Sequence, residues 1–291
     1  MSQQGFNKKS LSEQVNEVRK SMMSKDEKSK ALIKLGFTPY EIEFVLRDCQ
    51  SNFGFTFGVE IECLMRNANF ASRARVNGLN YRHEGYNHDT RPYYKLVSDS
   101  SIQGADGIEC VSPVLEGNNN GFDSLKRCCL TLNEAEAKVN RSTGLHVHIG
   151  VANLTDNWFI NIFKNYQRLE RVIDSFMAVS RRRNNNRFCK SLDGCNFGFA
   201  CNTIADVQRI LTSRYFKVNP MSINRHGTIE FRQHQGTTDY EKISNWVRFC
   251  SKLVAYSKTN VIESHITSIN DIPFLTTAEK DFFKSRADVL R

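Results

Sequence analysis

Apolar and polar residues along this chain repeat with two periods. Five short stretches alternate with period two and predict strands over residues 55–65, 93–98, 108–111, 145–149 and 222–232. Between them the spacing lengthens to that of helices. Phe122, Leu125, Cys128, Cys129 and Leu132 form one apolar stripe within residues 121–139. Trp158, Ile162, Phe163, Tyr166, Leu169 and Ile173 belong to a second within 156–179. A third helix is predicted over 239–257, opened by a capping box of Thr238 and Glu241. Ahead of the strands, residues 10–50 are polar and helical. In "KDEKSKALIKLGFTPYEIEFVLRDC", Gly36 ends one helix, Thr38 caps the next, Pro39 sits in its first turn, and Ile42, Val45 and Leu46 are buried. Strands separated by long helices, without a nucleotide-type glycine fingerprint or an internal repeat, predict an α+β fold. A mostly antiparallel sheet is backed by helices and preceded by a helical N-terminal extension. The expected division is 1–50 for the extension and 51–291 for the sheet-bearing domain.

Four of the strands share an oddity. Side chains two apart on a strand point to the same face. In "FGFTFGVEIECLM", Glu60 and Glu62 point together, opposite Val59, Ile61 and Cys63. In "TGLHVHIG", His146 and His148 point together, opposite Leu145, Val147 and Ile149. In "GTIEFRQHQGT", Glu230, Arg232 and His234 share a face, and in "DGIECVSP" Glu109 stands opposite Ile108 and Cys110. An isolated Glu-x-Glu or His-x-His is ordinary solvated sheet. The same parity in several strands of one chain predicts a single face lined by four carboxylates and several histidines. Carboxylates that crowded need a counter-charge. Oxygen-rich ligation with one imidazole suits Mg²⁺ or Mn²⁺ better than Zn²⁺.

Charge sharpens this reading. The formal net charge of +9 is concentrated. Residues 66–95 hold six Arg or Lys against two acids, and residues 181–190 hold five against none. Focused positive charge predicts an anionic ligand, nucleotide phosphate or nucleic acid. Residues 1–50 carry nine basic residues against seven acids, a weak bias for a DNA-reading helix-turn-helix, so a packing or docking role is favoured there. The nine cysteines are irregularly spaced with no CxxC pair, and predict reduced thiols in a cytoplasmic protein. Cys189, Cys195 and Cys201 are too widely spaced for an ordinary zinc site. No apolar run is long enough to span a membrane, and the first residues show no secretory signal.

Taken together, "FGVEIE" (57–62), "KLVSDSSI" (95–102), "GIECVSPVL" (107–115), "TGLHVHIG" (143–150), "SRRRNNNRFC" (180–189), "RYFKVNPMSI" (214–223) and "GTIEFRQHQGT" (227–237) resemble the amidoligase family of carboxylate–amine ligases, related in fold to glutamine synthetase and γ-glutamylcysteine ligase. The resemblance implies an antiparallel sheet that cups ATP and metal ions, with helices outside. It implies metal ligands at Glu60, Glu62, Glu109, His146 and Glu230. It implies phosphate contacts from Arg232 and from the Arg181, Arg182, Arg183 and Arg187 region. One departure stands out: Asp99-Ser100-Ser101 occupies the place of the family's Asp-Gly-Ser.

The reaction so implied joins a carboxylate to an amine of amino-acid or peptide substrates at the expense of ATP, through an acyl phosphate. Asp99 and His148 are the candidate bases for the amine, and Arg232 the residue that meets the transferred phosphoryl group. The bland alternative for Arg232 is a structural ion pair with a neighbouring glutamate. Two rival functions remain: a zinc hydrolase built on His146, His148 and a glutamate, which lacks HExxH, and a nucleic-acid-binding protein resting on the basic segments. P-loop, GxGxxG and GxSxG patterns are absent from the sequence.

Overall fold

The computed structural model describes residues 54–290 apart from residue 199, together with residues 14, 17, 18, 21, 25–37 and 42. The chain divides into two units, Met1–Asn52 and Phe53–Arg291. In the first unit, helix α1 (Lys25–Lys34) carries Asp26 and Glu27 in its first turn and Lys34 in its last, the charge order that the helix dipole favours. Its Leu32 is buried with Ile42. Gly36, at φ +92°, follows the helix, and the Phe37 N–H reaches back to Leu32 O. Thr38, Pro39, Val45 and Leu46 lie outside the described residues.

The second unit is built on one sheet. Its strands are β1 (Thr56–Leu64), β2 (Tyr81–His83), β3 (Tyr94–Ser98), β4 (Gly107–Val111), β5 (Leu115–Glu116), β6 (Gly144–Gly150), β7 (Val218–Asn219) and β8 (Thr228–Gln235). Their order is β2-β3-β4-β1-β6-β8-β7, with β5 paired to the start of β1. Only the β2–β3 pair is parallel. The fold is thus mixed α/β with a mostly antiparallel sheet.

One face of this sheet is core. Val59, Ile61, Cys63, Ile108, Cys110, Leu145, Val147, Ile149, Ile229 and Phe231 are all buried in a single hydrophobic cluster. Three long helices cover them: α3 (Asn119–Glu134), α4 (Asp156–Ser175) and α7 (Tyr240–Ser257). Phe57 of β1 meets Phe122 of α3 at 5.0 Å between ring centres, and Tyr166 of α4 meets Phe231 of β8 at 5.8 Å. Trp158 Nε1 donates to Val254 O and ties α4 to α7. The other face is therefore left to polar chemistry. Among the described residues no helix is long and apolar enough to cross a membrane.

Several boundaries differ from the sequence reading. Residues 222–226 are not strand but a short helix, α6 (Ser222–His226). Gly227, at φ +63°, caps it in the left-handed region and starts the turn into β8. Helix α7 is capped by Asp239, whose side chain accepts from Lys242 N, and not by Thr238, whose hydroxyl donates to Asn133 Oδ1 instead. Helix α4 ends at Ser175, before the single 3₁₀ turn Val179–Arg181. The helices α2 (Asn67–Val76), α5 (Ile204–Ile210) and α8 (Thr277–Val289) had no clear stripe; α2 buries only Phe70 and Ala74. Strands β2, β5 and β7 are two or three residues long, too short for any period to show.

Candidate active site

Strand register decides which ionisable groups meet. Across β1 and β4, Glu62 stands opposite Glu109. Across β1 and β6, Glu60 stands opposite His146. Across β6 and β8, His148 stands opposite Glu230. The result is an acidic seam that runs diagonally over four adjacent strands on the face away from the helices.

The contacts within the seam are close. His146 Nδ1 lies 2.9 Å from Glu60 Oε2, and its Nε2 lies 3.6 Å from Glu62 Oε1. His148 Nε2 lies 3.3 Å from Glu60 Oε1, while its Nδ1 pairs with Thr228 Oγ1 at 2.9 Å. Glu62 also accepts from Gly144 N. Glu230 is held by Asn219 Nδ2 and by Arg232 Nη1, so the ion pair weighed for Arg232 is present. Arg232 Nε donates to Phe188 O, and its guanidinium lies 5.9 Å from the centre of the Tyr215 ring.

The electrostatics follow from this crowding. Burial pushes the Glu109 carboxyl well above its ordinary range, and the charges of Glu60, Glu62 and Asp99 push it further. Burial also opposes ionisation of Glu60, but hydrogen bonds from His146 and His148 outweigh it and hold Glu60 well below the usual carboxylate range. Glu230 resists burial in the same way through the charge of Arg232. Burial disfavours the charged form of His148, and Glu60 more than offsets it, so His148 titrates above an ordinary imidazole. Added positive charge on this face would favour the ionised form of Glu109.

The donor set fits a hard divalent ion. Three groups of side chains bring ligand atoms within 4.8 Å of one another: Glu60, Glu109 and His146; Glu62, Asp99 and Glu109; and Glu60, His148 and Glu230. Carboxylate oxygens dominate each of them, none pairs the two imidazoles, and none contains a cysteine. Such sets suit Mg²⁺ or Mn²⁺ and argue against a zinc hydrolase. One buried nitrogen that lines this face, Arg181 Nε, has no hydrogen-bond partner among the described residues.

A polar basin of about 650 Å³ lies over the seam. Five arginines line it: Arg181, Arg187, Arg214, Arg225 and Arg232. Three of them were among the candidates from sequence. Arg214 lies inside "RYFKVNPMSI" and Arg225 on α6, a segment whose helical form alternation could not reveal. Arg182 and Arg183, expected at phosphate, do not line the basin. Arg182 donates to Met177 O and Leu290 O, and Arg183, at φ +49°, gives its backbone N–H to Asp174. Asp99 lines the basin and stands within ligand distance of Glu62 and Glu109, a place closer to a ligand carboxylate than to a lone base.

Two further expectations change. His234 does not share the face of Glu230 and Arg232. An extra residue in β8 between the pairs Val147–Phe231 and Leu145–His234 is a bulge that reverses parity. His234 packs near Trp246 of α7, and burial lowers its pKa to about 3. Of the six basic residues of 66–95, two are spent on local partners. Arg91 pairs with Glu84 and Asp89, and buried Lys95 donates to Asn87 O, Asn87 Oδ1 and Asp89 O. Cys63 and Cys110 lie in the core, as strand parity requires.

A family model described as "Putative amidoligase enzyme" matches residues 41–254. The chain belongs to this amidoligase family. Membership supports a carbon–nitrogen ligase in general. No curated protein matches this amidoligase. Among solved structures, it resembles the crystal structure of a bifunctional glutathione synthetase from Pasteurella multocida, with 12% identity and a TM-score of 0.42 over 82% of this chain and 47% of that one. The amidoligase thus spans about half the length of that chain.

Proposed function

We propose that this amidoligase joins a carboxylate to an amine in an amide bond, with ATP as energy source and an acyl phosphate as intermediate. The observation that carries the reading is the register of β1, which gathers Glu60, Glu62, Glu109 and His146 beneath a basin lined by arginines. The reading includes a glutamine synthetase-like catalytic fold over residues 51–291, with residues 1–50 as a separable extension.

Glu60, Glu62, Asp99, Glu109 and His146 are the proposed ligands of Mg²⁺ or Mn²⁺, with Glu230 beside them. Bound there, the cation offsets the negative charge of phosphate and of the attacking carboxylate. The protein's own groups position the reactants. Arg187, Arg214 and Arg225 hold nucleotide phosphates, and Phe188 and Tyr215 offer aromatic faces to the base. Arg181 braces the start of β6 through Ser142 O and Thr143 O. Arg232, anchored by Glu230 and Phe188 O, meets the transferred phosphoryl group, where its planar fork can grip two oxygens.

A substrate carboxylate oxygen bonds to the γ-phosphorus, and ADP leaves. The amine nitrogen then attacks the acyl carbon. A C–N bond forms, the C–O bond to phosphate breaks, and the amine gives up a proton. We assign that proton to His148 Nε2, because His148 borders the basin and the neighbouring cavity, whereas Asp99 borders the basin alone. Phosphoryl transfer of this kind rests on positioning and charge more than on a protein nucleophile.

The test is calorimetric titration with ATP, with and without Mg²⁺, followed by ADP release in the presence of pooled amino acids and peptides. Metal-dependent binding and amine-dependent ADP release are expected. No nucleotide binding at millimolar Mg²⁺ overturns the ligase reading.

A further inference from the structure

The acidic seam is shared by two cavities. The arginine basin lies on one side. On the other lies a second cavity of about 620 Å³, a volume ordinary for a small-molecule site. Glu60, Glu109, His148, His88 and His226 line both, so a molecule held in the second cavity presents one end to the same centre that the basin serves.

The two cavities differ in chemistry. Among the described residues, no arginine lines the second one. Of its two lysines, Lys95 is buried and spends its ammonium on Asn87 O, Asn87 Oδ1 and Asp89 O. Lys258 is exposed and sits 5.4 Å from the centre of the Trp158 ring. Its remaining ionisable groups are three histidines, His88, His148 and His226, against three carboxyls, Glu60, Asp89 and Glu109. Its inner end carries the carboxyls of Glu60 and Glu109, and Thr56, Ser112 and Thr228 add small hydroxyls. One part of its wall is apolar, from Phe55, Pro113, Val114, Val151 and Trp158, and Asn87, Asp89 and Thr90 make another part polar. Acids within and hydrocarbon around are the complement of an amine with an apolar body.

We propose that this second cavity is the acceptor site of the enzyme and takes a primary amine carrying an apolar chain or ring, with its nitrogen at the Glu60–Glu109–His148 edge. The assignment rests on the ligase reading for what the amine then does, but not for the binding itself. It divides the ligands by charge. The anionic nucleotide and the activated carboxylate occupy the arginine side, and the nucleophile enters from the apolar side. A small, strongly hydrated amine gains little from these walls. One methylene more in an apolar pocket is worth about 1–3 kcal/mol, so longer apolar amines are the better acceptors.

The protein's two tryptophans make the test direct. Both are buried, but Trp158 lines the cavity and Trp246 does not. The full chain is titrated with n-hexylamine, ethanolamine and hexanoate while tryptophan fluorescence is recorded, and with Mg·ATP by calorimetry. Hexylamine is expected to perturb the fluorescence saturably, and at concentrations about tenfold or more below those ethanolamine needs. Hexanoate should have no such effect. Val151→Phe fills the wall and should weaken hexylamine at least about tenfold while leaving Mg·ATP affinity unchanged. Val114→Phe, at a residue 60% exposed, repeats the test where misfolding is no concern. Hexanoate binding as well as hexylamine overturns the proposal, as does loss of Mg·ATP affinity in the folded Val151→Phe protein, which would make the cavity a nucleoside site. No fluorescence response to any amine overturns it too. Hexylamine binding without any Mg·ATP binding supports the amine site and overturns the ligase reading alone.

Discussion

Two clusters of buried charge in this protein look alike in composition and differ in what they have left over. In one, Lys217 Nζ lies 2.8 Å from Glu170 Oε1 and 2.7 Å from Asp174 Oδ1. Glu170 also accepts from Ser191 Oγ and Leu192 N, and Asp174 from Gln233 Nε2 and Arg183 N. Each carboxylate there has several donors, and the lysine is fully buried. In the other, Glu60, Glu62, Glu109 and Asp99 face one another with histidines between them, and Glu109 has burial and three acids ranged against its charge. The first cluster is closed and holds α4 to the arginine-bearing loop. The second gathers carboxyls that outnumber the cationic partners beside them. Buried charge alone therefore does not mark a functional site; buried charge of one sign that the protein leaves unmatched does.

The largest effect should come from Arg232, which lies in the open cluster, neutralises Glu230 and faces the basin. Arg232→Ala should cost on the order of 10³-fold or more in turnover, and Arg232→Lys at least about tenfold, because lysine keeps the charge and loses the fork. Turnover and melting temperature are measured on the same samples. If both variants melt lower yet the folded enzyme turns over normally, Arg232 is only the structural partner of Glu230.

The closed cluster should break outright. Lys217→Met strands two buried carboxylates and should destabilise the fold by about 3–5 kcal/mol, read from urea or thermal unfolding. A variant as stable as the parent would mean that water or a neighbour replaces the lysine, and the contrast drawn above would fail.

The open cluster should respond in the opposite sense. Glu109→Gln removes one of several opposed acids, so without metal its melting temperature should equal or exceed that of the parent. Added Mn²⁺ should raise the parent's melting temperature through binding to the folded state and should raise that of Glu109→Gln much less. An equal Mn²⁺ response in the two proteins would remove Glu109 from the metal site.

At neutral pH the smallest effect is that of a titration outside the seam, which grows only on acidification. His234 is buried, and its pKa is lowered to about 3 from the ordinary value near 6.5. The unfolded chain therefore binds a proton between these values that the folded chain refuses. Stability contributed by neutral His234 is intact above about pH 6.5 and is lost as pH falls towards 3, at up to about 1.4 kcal/mol per unit. His234→Gln should flatten that part of the pH–stability curve, and an unchanged slope would assign the acid sensitivity to other groups.

Much of the site could be read from single strands. Period-two alternation placed Glu60 with Glu62, and His146 with His148, because a strand has only two faces and one of them is plainly apolar. The long helices were equally legible, since α3, α4 and α7 each carry a continuous stripe. What alternation could not carry is any interruption of it. The bulge in β8 turned His234 to the helix side, and α6 was hidden in a segment without a period. In the run Arg181-Arg182-Arg183 all three residues look equivalent, yet one braces β6, one reaches the last described residue of the chain, and one turns away. Arg214, although inside a stretch that matches the family, was not singled out, and Arg225 carried no local signal.

The sequence by itself determined the faces of the strands, the apolar stripes of the helices and the family, because these depend on residue types at fixed short spacings. The tertiary structure alone decided that Glu62 meets Glu109, that Glu60 meets His146, which arginines reach the basin, and that a second cavity without arginines opens on the same acids. Those are matters of register and of loops brought together across long separations. A shift of one residue in the pairing of β1 would leave every local pattern intact and dissolve the seam.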